Sequence, residues 1–212
     1  MLIVALTILV IISGALHILA EYGGARVRVY LFKPLTVMLI IAIALQSPAS
    51  LYKYLILAGI LFSLAGDIFL MLPRDRFIPG LVSFLVAHLF YIAAFTQDGA
   101  RHAAVMAGLL LLAYGGVMLS KLFPYLGKLK APVMIYMLVI LLMVWQASNR
   151  YASTGTSASL LAFAGACLFA ASDSALAWNR FRRSFKSAQF LILTTYYAAQ
   201  WLIALSVVLR DS

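Results

Sequence analysis

Residues 52–72 read YKYLILAGILFSLAGDIFLML, and residues 158–178 read ASLLAFAGACLFAASDSALAW. Each is a run of about 20 mostly apolar residues, the length that carries an α-helix across a bilayer at ~1.5 Å per residue. Each also carries one acid late in the run, Asp67 in the first and Asp173 in the other. A carboxylate inside a spanning helix costs at least ~2.5 kcal/mol on insertion scales, so its presence asks for a function or a specific partner.

Working outward, the same reading places six more helices near 2–20, 31–46, 77–96, 103–120, 131–149 and 187–208, separated by Gly, Pro and charged clusters. The expected fold is an all-α membrane protein, a bundle of eight transmembrane helices forming one polytopic domain over 1–212. Composition agrees: 65% of residues are hydrophobic and 10% charged, with a mean hydropathy of +1.05. A soluble domain carries about 25% charged residues. Eight crossings of about 20 residues use about 160 positions, which leaves loops and tails but no soluble domain. The N-terminal Met1-Leu2-Ile3-Val4 has no basic n-region and reads as the start of a retained helix. Cys167 stands alone inside an apolar run, so no intrachain disulfide or cysteine metal site can form.

The 16 Lys+Arg against 6 Asp+Glu would suggest nucleic acid in a soluble protein, but here the basic residues are scattered between apolar runs. They form no stripe or arm, and a nucleic-acid partner is excluded. Odd-numbered connections hold Arg26, Arg28, Arg74, Arg76, Lys121, Lys128, Lys130, Arg180, Arg182, Arg183 and Lys186, with Lys33 just inside the second helix. The other side holds Lys53, Arg101, Arg150 and Arg210. This bias places the odd connections in the cytoplasm and both termini outside, in what is expected to be a bacterial inner membrane. A weak parallel 4+4 repeat is also visible: Lys33-Pro34 and Lys130-Ala131-Pro132 open the second and sixth helices, and the third and seventh each carry a late Asp.

Glu21, Asp75, Asp98 and Asp211 fall at helix ends or in connections, whereas Asp67 and Asp173 each lie six residues before a break, at Pro73 and Asn179. Six residues are about 9 Å, so the two acids share one depth. Lys33 opens on the same side, Tyr136 lies about 8 Å in, Tyr196 about 14 Å and His88 about 16 Å. A polar cavity open at that level would collect all of these. Ser63 and Ser172 are small polar neighbours of the aspartates, and Tyr196, Tyr197 and Gln200 bring hydrogen-bonding groups to the last helix. These residues form the candidate site: Asp67 and Asp173 for catalysis, and Lys33, Ser63, His88, Tyr136, Ser172, Tyr196, Tyr197 and Gln200 for substrate. The structural alternative is open for each aspartate, which could hold helices together, and for Lys33, which could snorkel. His88 suits a buried, hydrogen-bonded role as well as a chemical one, while His17 and His102 carry no case beyond packing and position. No His-x-x-x-His or Glu-x-x-His spacing occurs, so no metal site is expected.

In order along the chain, several segments together resemble a known family: Lys33-Pro34, Ser63-Leu64-Ala65-Gly66-Asp67, Phe77 to Tyr91 with His88, Pro132 to Tyr136, Gly165 to Asp173 and Thr195 to Gln200. They resemble the YhhN-type integral membrane proteins, which include the lysoplasmalogenases. The resemblance implies a hydrolase that cleaves the vinyl ether of lysoplasmalogens to a fatty aldehyde and a glycerophospho-ethanolamine or -choline, and it implies that the family's membrane aspartates are Asp67 and Asp173.

The chemistry of that reaction suits two carboxyls. Protonation of the alkenyl carbon remote from oxygen gives an oxocarbenium ion, water captures it, and the hemiacetal collapses. Two close carboxyls in surroundings of low polarity share one proton, which supplies an acid and a base together. The scheme requires a lysophospholipid and surrounding membrane lipid as partners and no cofactor. Two rivals stay open. An intramembrane aspartyl protease also uses two membrane aspartates, although Ala65-Gly66-Asp67 is one glycine short of Gly-x-Gly-Asp. A proton-coupled transporter would use them as proton sites, although no strong mid-span Gly/Pro break marks a binding site.

Overall fold

The computed structural model describes residues 1–97 and 104–210; Asp98, Arg101, His102 and Asp211 lie outside the described residues. Among the described residues the apolar runs form eight long helices: α1 (Leu2–Tyr22), α2 (Arg26–Ala44), α3 (Leu51–Met71), α4 (Phe77–Phe95), α5 (Val105–Leu122), α6 (Lys130–Thr154), α7 (Ser157–Ala177) and α8 (Ala188–Val208). All eight are long and apolar enough to cross a membrane. This is the expected all-α, multi-pass architecture, and the protein is an integral membrane protein.

Local chemistry sets several ends. The Ser50 hydroxyl accepts from the Lys53 backbone N–H at 3.2 Å and the Thr156 hydroxyl from that of Ser159 at 3.2 Å, capping α3 and α7. α6 ends where Gly155 turns left-handed at φ 62°, a conformation that a side chain resists. Two helices run further than hydropathy suggests. α2 begins at Arg26 and not near 31, because its charged first turns need no apolar cover. α6 continues to Thr154 and not 149, because its polar end is buried: the Asn149 carbonyl accepts from the Ala104 N–H at 3.0 Å, and Arg150 donates to the Tyr52 hydroxyl at 2.9 Å. α7 finishes in a wider π turn, Trp178–Arg182.

The helices pack most closely as α1 on α2, α3 on α4 and α7 on α8, and α6 joins α4 and α7. At Gly165 an added Cβ would stand 2.9 Å from the Ala199 carbonyl and 3.3 Å from the Ile203 nitrogen. α7 and α8 therefore meet backbone to backbone, as small residues allow in membrane bundles. Leu109, Leu112, Leu138 and Ile11 point outward, as lipid-facing side chains must, while Tyr91, Phe95 and Phe169 are sealed in the core. α5 is different: of its residues only Gly115 and Leu122 are buried, so it lies at the bundle's edge against α6. The α3–α4 and α7–α8 connections meet at one end, joined by Asp75 and Arg180, and Tyr22 at the end of α1 donates to the Lys186 carbonyl there at 2.9 Å.

Candidate active site

Asp67 sits where α3 faces α2 and α8. Its Oδ1 is 3.0 Å from Lys33 Nζ, and its Oδ2 accepts from the Tyr196 hydroxyl at 2.6 Å. Both members of the ion pair are buried, with side chains 4% and 10% exposed, so Lys33 does not snorkel to the surface. A buried charge pair survives only when its remaining lone pairs are met, and the network behind Asp67 meets them. Gln200 Nε2 lies 3.4 Å from the Tyr196 oxygen, and Gln200 Oε1 accepts from the Tyr91 hydroxyl at 2.6 Å. Ser63, one turn before Asp67, is fully buried against Tyr91.

Asp173 occupies a separate niche. Its Oδ2 accepts from the Tyr136 hydroxyl at 2.5 Å, and His88 Nε2 stands 4.0 Å from the same oxygen, beyond hydrogen-bond reach. Neither ring nitrogen of His88 has a hydrogen-bond partner among the described residues. Aromatic rings separate the two niches: Phe169 packs edge-on against His88 at 4.7 Å and against Tyr196 at 5.4 Å. No hydrogen bond joins the two aspartates among the described residues. Each has its own tyrosine.

The niches also differ in access. An apolar cavity lies between α5, α6, α7 and the α3–α4 pair, and Asp173, Tyr136 and Ser174 face it. Asp67 does not line it. The Asp173 side chain is 15% exposed against 4% for Asp67, so Asp173 is the carboxyl that a molecule in the cavity meets. Its lining is apolar apart from a few convergent polar groups, the character of a small-molecule site. Phe77 and Phe181, in edge-on contact at 5.6 Å, line it near the α3–α4 connection.

Of the other sequence-selected residues, two point elsewhere. The Ser172 hydroxyl donates to the Ile192 carbonyl at 2.9 Å and fastens α7 to α8, because one residue along a helix rotates a side chain by about 100°. The Tyr197 hydroxyl is 2.7 Å from His17 Nδ1, and His17 Nε2 is 3.4 Å from Glu21. That branch runs toward α1 and gives His17 a polar role that its lone apolar setting did not suggest. Sequence reading also missed Tyr91 and Phe169. Tyr91 follows His88 by three residues on the same helix face, a signal that was available; Phe169 is indistinguishable in sequence from any apolar core residue.

The fold and this arrangement define a polytopic membrane protein with an apolar cavity whose wall includes a carboxyl, Asp173. Residues 29–207 match the YhhN family, and the chain belongs to that family. It is 31% identical over 203 residues to "Uncharacterized membrane protein YhhN" of Escherichia coli O157:H7, covering 95% of this chain and 98% of that protein. It is also 36% identical over 164 residues to human "Lysoplasmalogenase TMEM86B", covering 76% of this chain and 66% of that one. Human "Lysoplasmalogenase TMEM86A" is 36% identical over 158 residues, 72% of this chain and 65% of that protein. No solved structure matches.

Proposed function

We propose that this protein hydrolyses the vinyl ether of lysoplasmalogens, releasing a fatty aldehyde and a glycerophospho-alcohol. The observation that carries the proposal is Asp173, oriented by Tyr136 in the wall of an apolar cavity. The names of the human relatives point to the same substrate.

The geometry distributes the roles. Lys33 at 3.0 Å fits Asp67 to the part of counter-charge, while among the described residues no Lys or Arg stands within ion-pair distance of Asp173. Asp173 is therefore the general acid: it delivers its proton to the alkenyl carbon remote from oxygen, and the C=C electron pair forms the new C–H bond. The positive charge that develops on the ether carbon and oxygen is stabilised through space by the Asp67 carboxylate, fixed in a low-polarity setting where such fields act strongly. Water then attacks the ether carbon and loses a proton to the Asp173 carboxylate, which restores the acid. The hemiacetal collapses with transfer of its hydroxyl proton to the departing glycerol oxygen. Lys33 and Tyr196, the latter backed by Gln200, hold Asp67; Tyr136 holds Asp173, with His88 packed beside it. Each aspartate serves as one half of an acid and counter-charge pair, and not as a carboxyl sharing a proton directly with the other.

The test is aldehyde release by purified protein in detergent from alkenyl, alkyl-ether and acyl lysophospholipids of equal chain length. Aldehyde from the alkenyl lipid alone supports the proposal. Aldehyde from none of them, with a folded protein, refutes it and favours transport through the same cavity.

A further inference from the structure

Beyond the two aspartates, a third charged group stands beside the cavity wall. Arg180 follows Asp173 by seven residues and lies in the π turn that ends α7, next to Phe181, which with Ala177 lines the cavity. The Arg180 guanidinium lies 4.0 Å over the Phe77 ring, and Phe77 meets Phe181 edge-on at 5.6 Å. Arg180 is thus seated on the outer side of an aromatic pair in the cavity wall. Its Nη2 donates to both oxygens of Asp75, at 2.9 and 3.2 Å, while Nη1 and Nε carry no hydrogen bond among the described residues. The side chain is about one-third exposed, so its unused donors are accessible.

The spacing fits a ligand. Four residues along the end of α7 and three in the π turn separate Asp173 from Arg180 by roughly 9–10 Å along the helix axis. From the alkenyl carbon that takes the proton to the phosphorus of a lysoplasmalogen are seven bonds, which span roughly 8–9 Å when extended at about 1.4–1.5 Å per bond. With the alkenyl carbon at Asp173 and the chain in the apolar cavity, the phosphate arrives at Arg180. A guanidinium fork matches phosphate geometry as it matches a carboxylate, so a phosphate that takes the fork displaces the Asp75 carboxylate held at Nη2. Lys33, by contrast, is committed to Asp67 at 3.0 Å and does not line the cavity.

We propose that Arg180 is the phosphate-binding residue of the site, fixing the register of a single-chain phospholipid so that its ether linkage falls at Asp173. The inference rests on the hydrolase reading for its distances, but it can be tested without turnover. The probe is a saturated 1-O-alkyl-glycerophosphoethanolamine, which lacks the alkene, with 1-O-alkylglycerol as the phosphate-free control and chain-free glycerophosphoethanolamine as competitor. Binding to full-length protein in detergent is followed by calorimetry for wild type, Arg180→Gln and Arg180→Lys.

Charged hydrogen bonds of this kind carry roughly 10-fold to 100-fold in affinity. Arg180→Gln is expected to weaken the phospholipid about that much and leave the alkylglycerol within about twofold, with Arg180→Lys in between because it keeps charge without the fork. Competition by glycerophosphoethanolamine only at far higher concentration assigns the site to the lipid; equal competition assigns it to soluble phosphate esters and overturns the lipid register. Equal loss of both lipids, or loss of neither, overturns the proposal. Aldehyde release by wild type is scored separately: its absence beside Arg180-dependent binding refutes hydrolysis alone, and its presence beside Arg180-independent binding refutes this subsite alone.

Discussion

Replacing Lys33 by Met removes one half of an ion pair that is 3.0 Å long and buried on both sides. At that separation and an effective dielectric of about 20, the attraction is ~5–6 kcal/mol. Most of it is offset by the cost of taking both charges out of water, so the intact pair adds little net stability. Removing one partner is another matter, because it leaves Asp67 charged, enclosed and unmatched at a cost of ~3–5 kcal/mol. For a chain of about 200 residues this is a fall of roughly 6–20 °C in Tm. The double variant Lys33→Met/Asp67→Asn leaves no charge to strand, and the new amide still faces the Tyr196 hydroxyl; it is expected to recover most of the loss. Thermal unfolding of purified protein in detergent, read by circular dichroism, measures all four corners of the cycle. Aldehyde release from the double variant is expected to stay low, since the fixed negative charge is gone. A double variant destabilised by the full sum of the single changes would refute the coupling, and a double variant with wild-type turnover would refute the role given to Asp67.

Tyr136→Phe removes the hydroxyl that orients Asp173; a misplaced acid is expected to lower kcat by about 10-fold to 100-fold with little change in KM, measured by steady-state aldehyde release. The exposed Asp75–Arg180 pair gives a pH signature of its own. The Phe77 backbone N–H and then the Arg180 guanidinium hold the Asp75 carboxyl below the usual carboxylate range. A depressed value means that the pair's contribution is present above the unfolded carboxyl's pKa of about 3.9 and is lost as pH falls through the folded value. The Tm difference between wild type and Asp75→Asn should therefore be constant from about pH 5 to 8, close only in stronger acid, and shrink with added salt.

The eight helices were legible because bilayer length and hydropathy act on every residue of a run, and polar punctuation marks each break. The ends of α2 and α6 were less so. Hydropathy counts Arg26, Asn149 and Arg150 as polar wherever they stand, and only the packed bundle shows that Asn149 and Arg150 are buried on partners. For the site, the cost of an intramembrane carboxylate singled out Asp67 and Asp173, and helical rise placed them at one depth. Rotation about each helix axis decided the rest. It turned Asp67 to Lys33 and Tyr196, Asp173 to Tyr136 and the cavity, and Ser172 away to the α8 backbone. Arg180 was visible only as one of a basic cluster, because nothing in sequence says that a charge in a connection sits beside a cavity wall. The proposed cytoplasmic side of the odd connections rests on the Lys/Arg bias, and it puts Arg180 and the adjoining cavity wall at the inner leaflet.

Asp173 as the acid that protonates carbon is the centre of this account. The most direct measurement is the rate of aldehyde release from an alkenyl lysophospholipid by wild type and Asp173→Asn in H₂O and D₂O, with unfolding temperatures recorded alongside. The account predicts a clear slowing of wild type in D₂O and a loss of ~10²–10⁴-fold in a folded Asp173→Asn. A folded Asp173→Asn that releases aldehyde within a few-fold of wild type would contradict it.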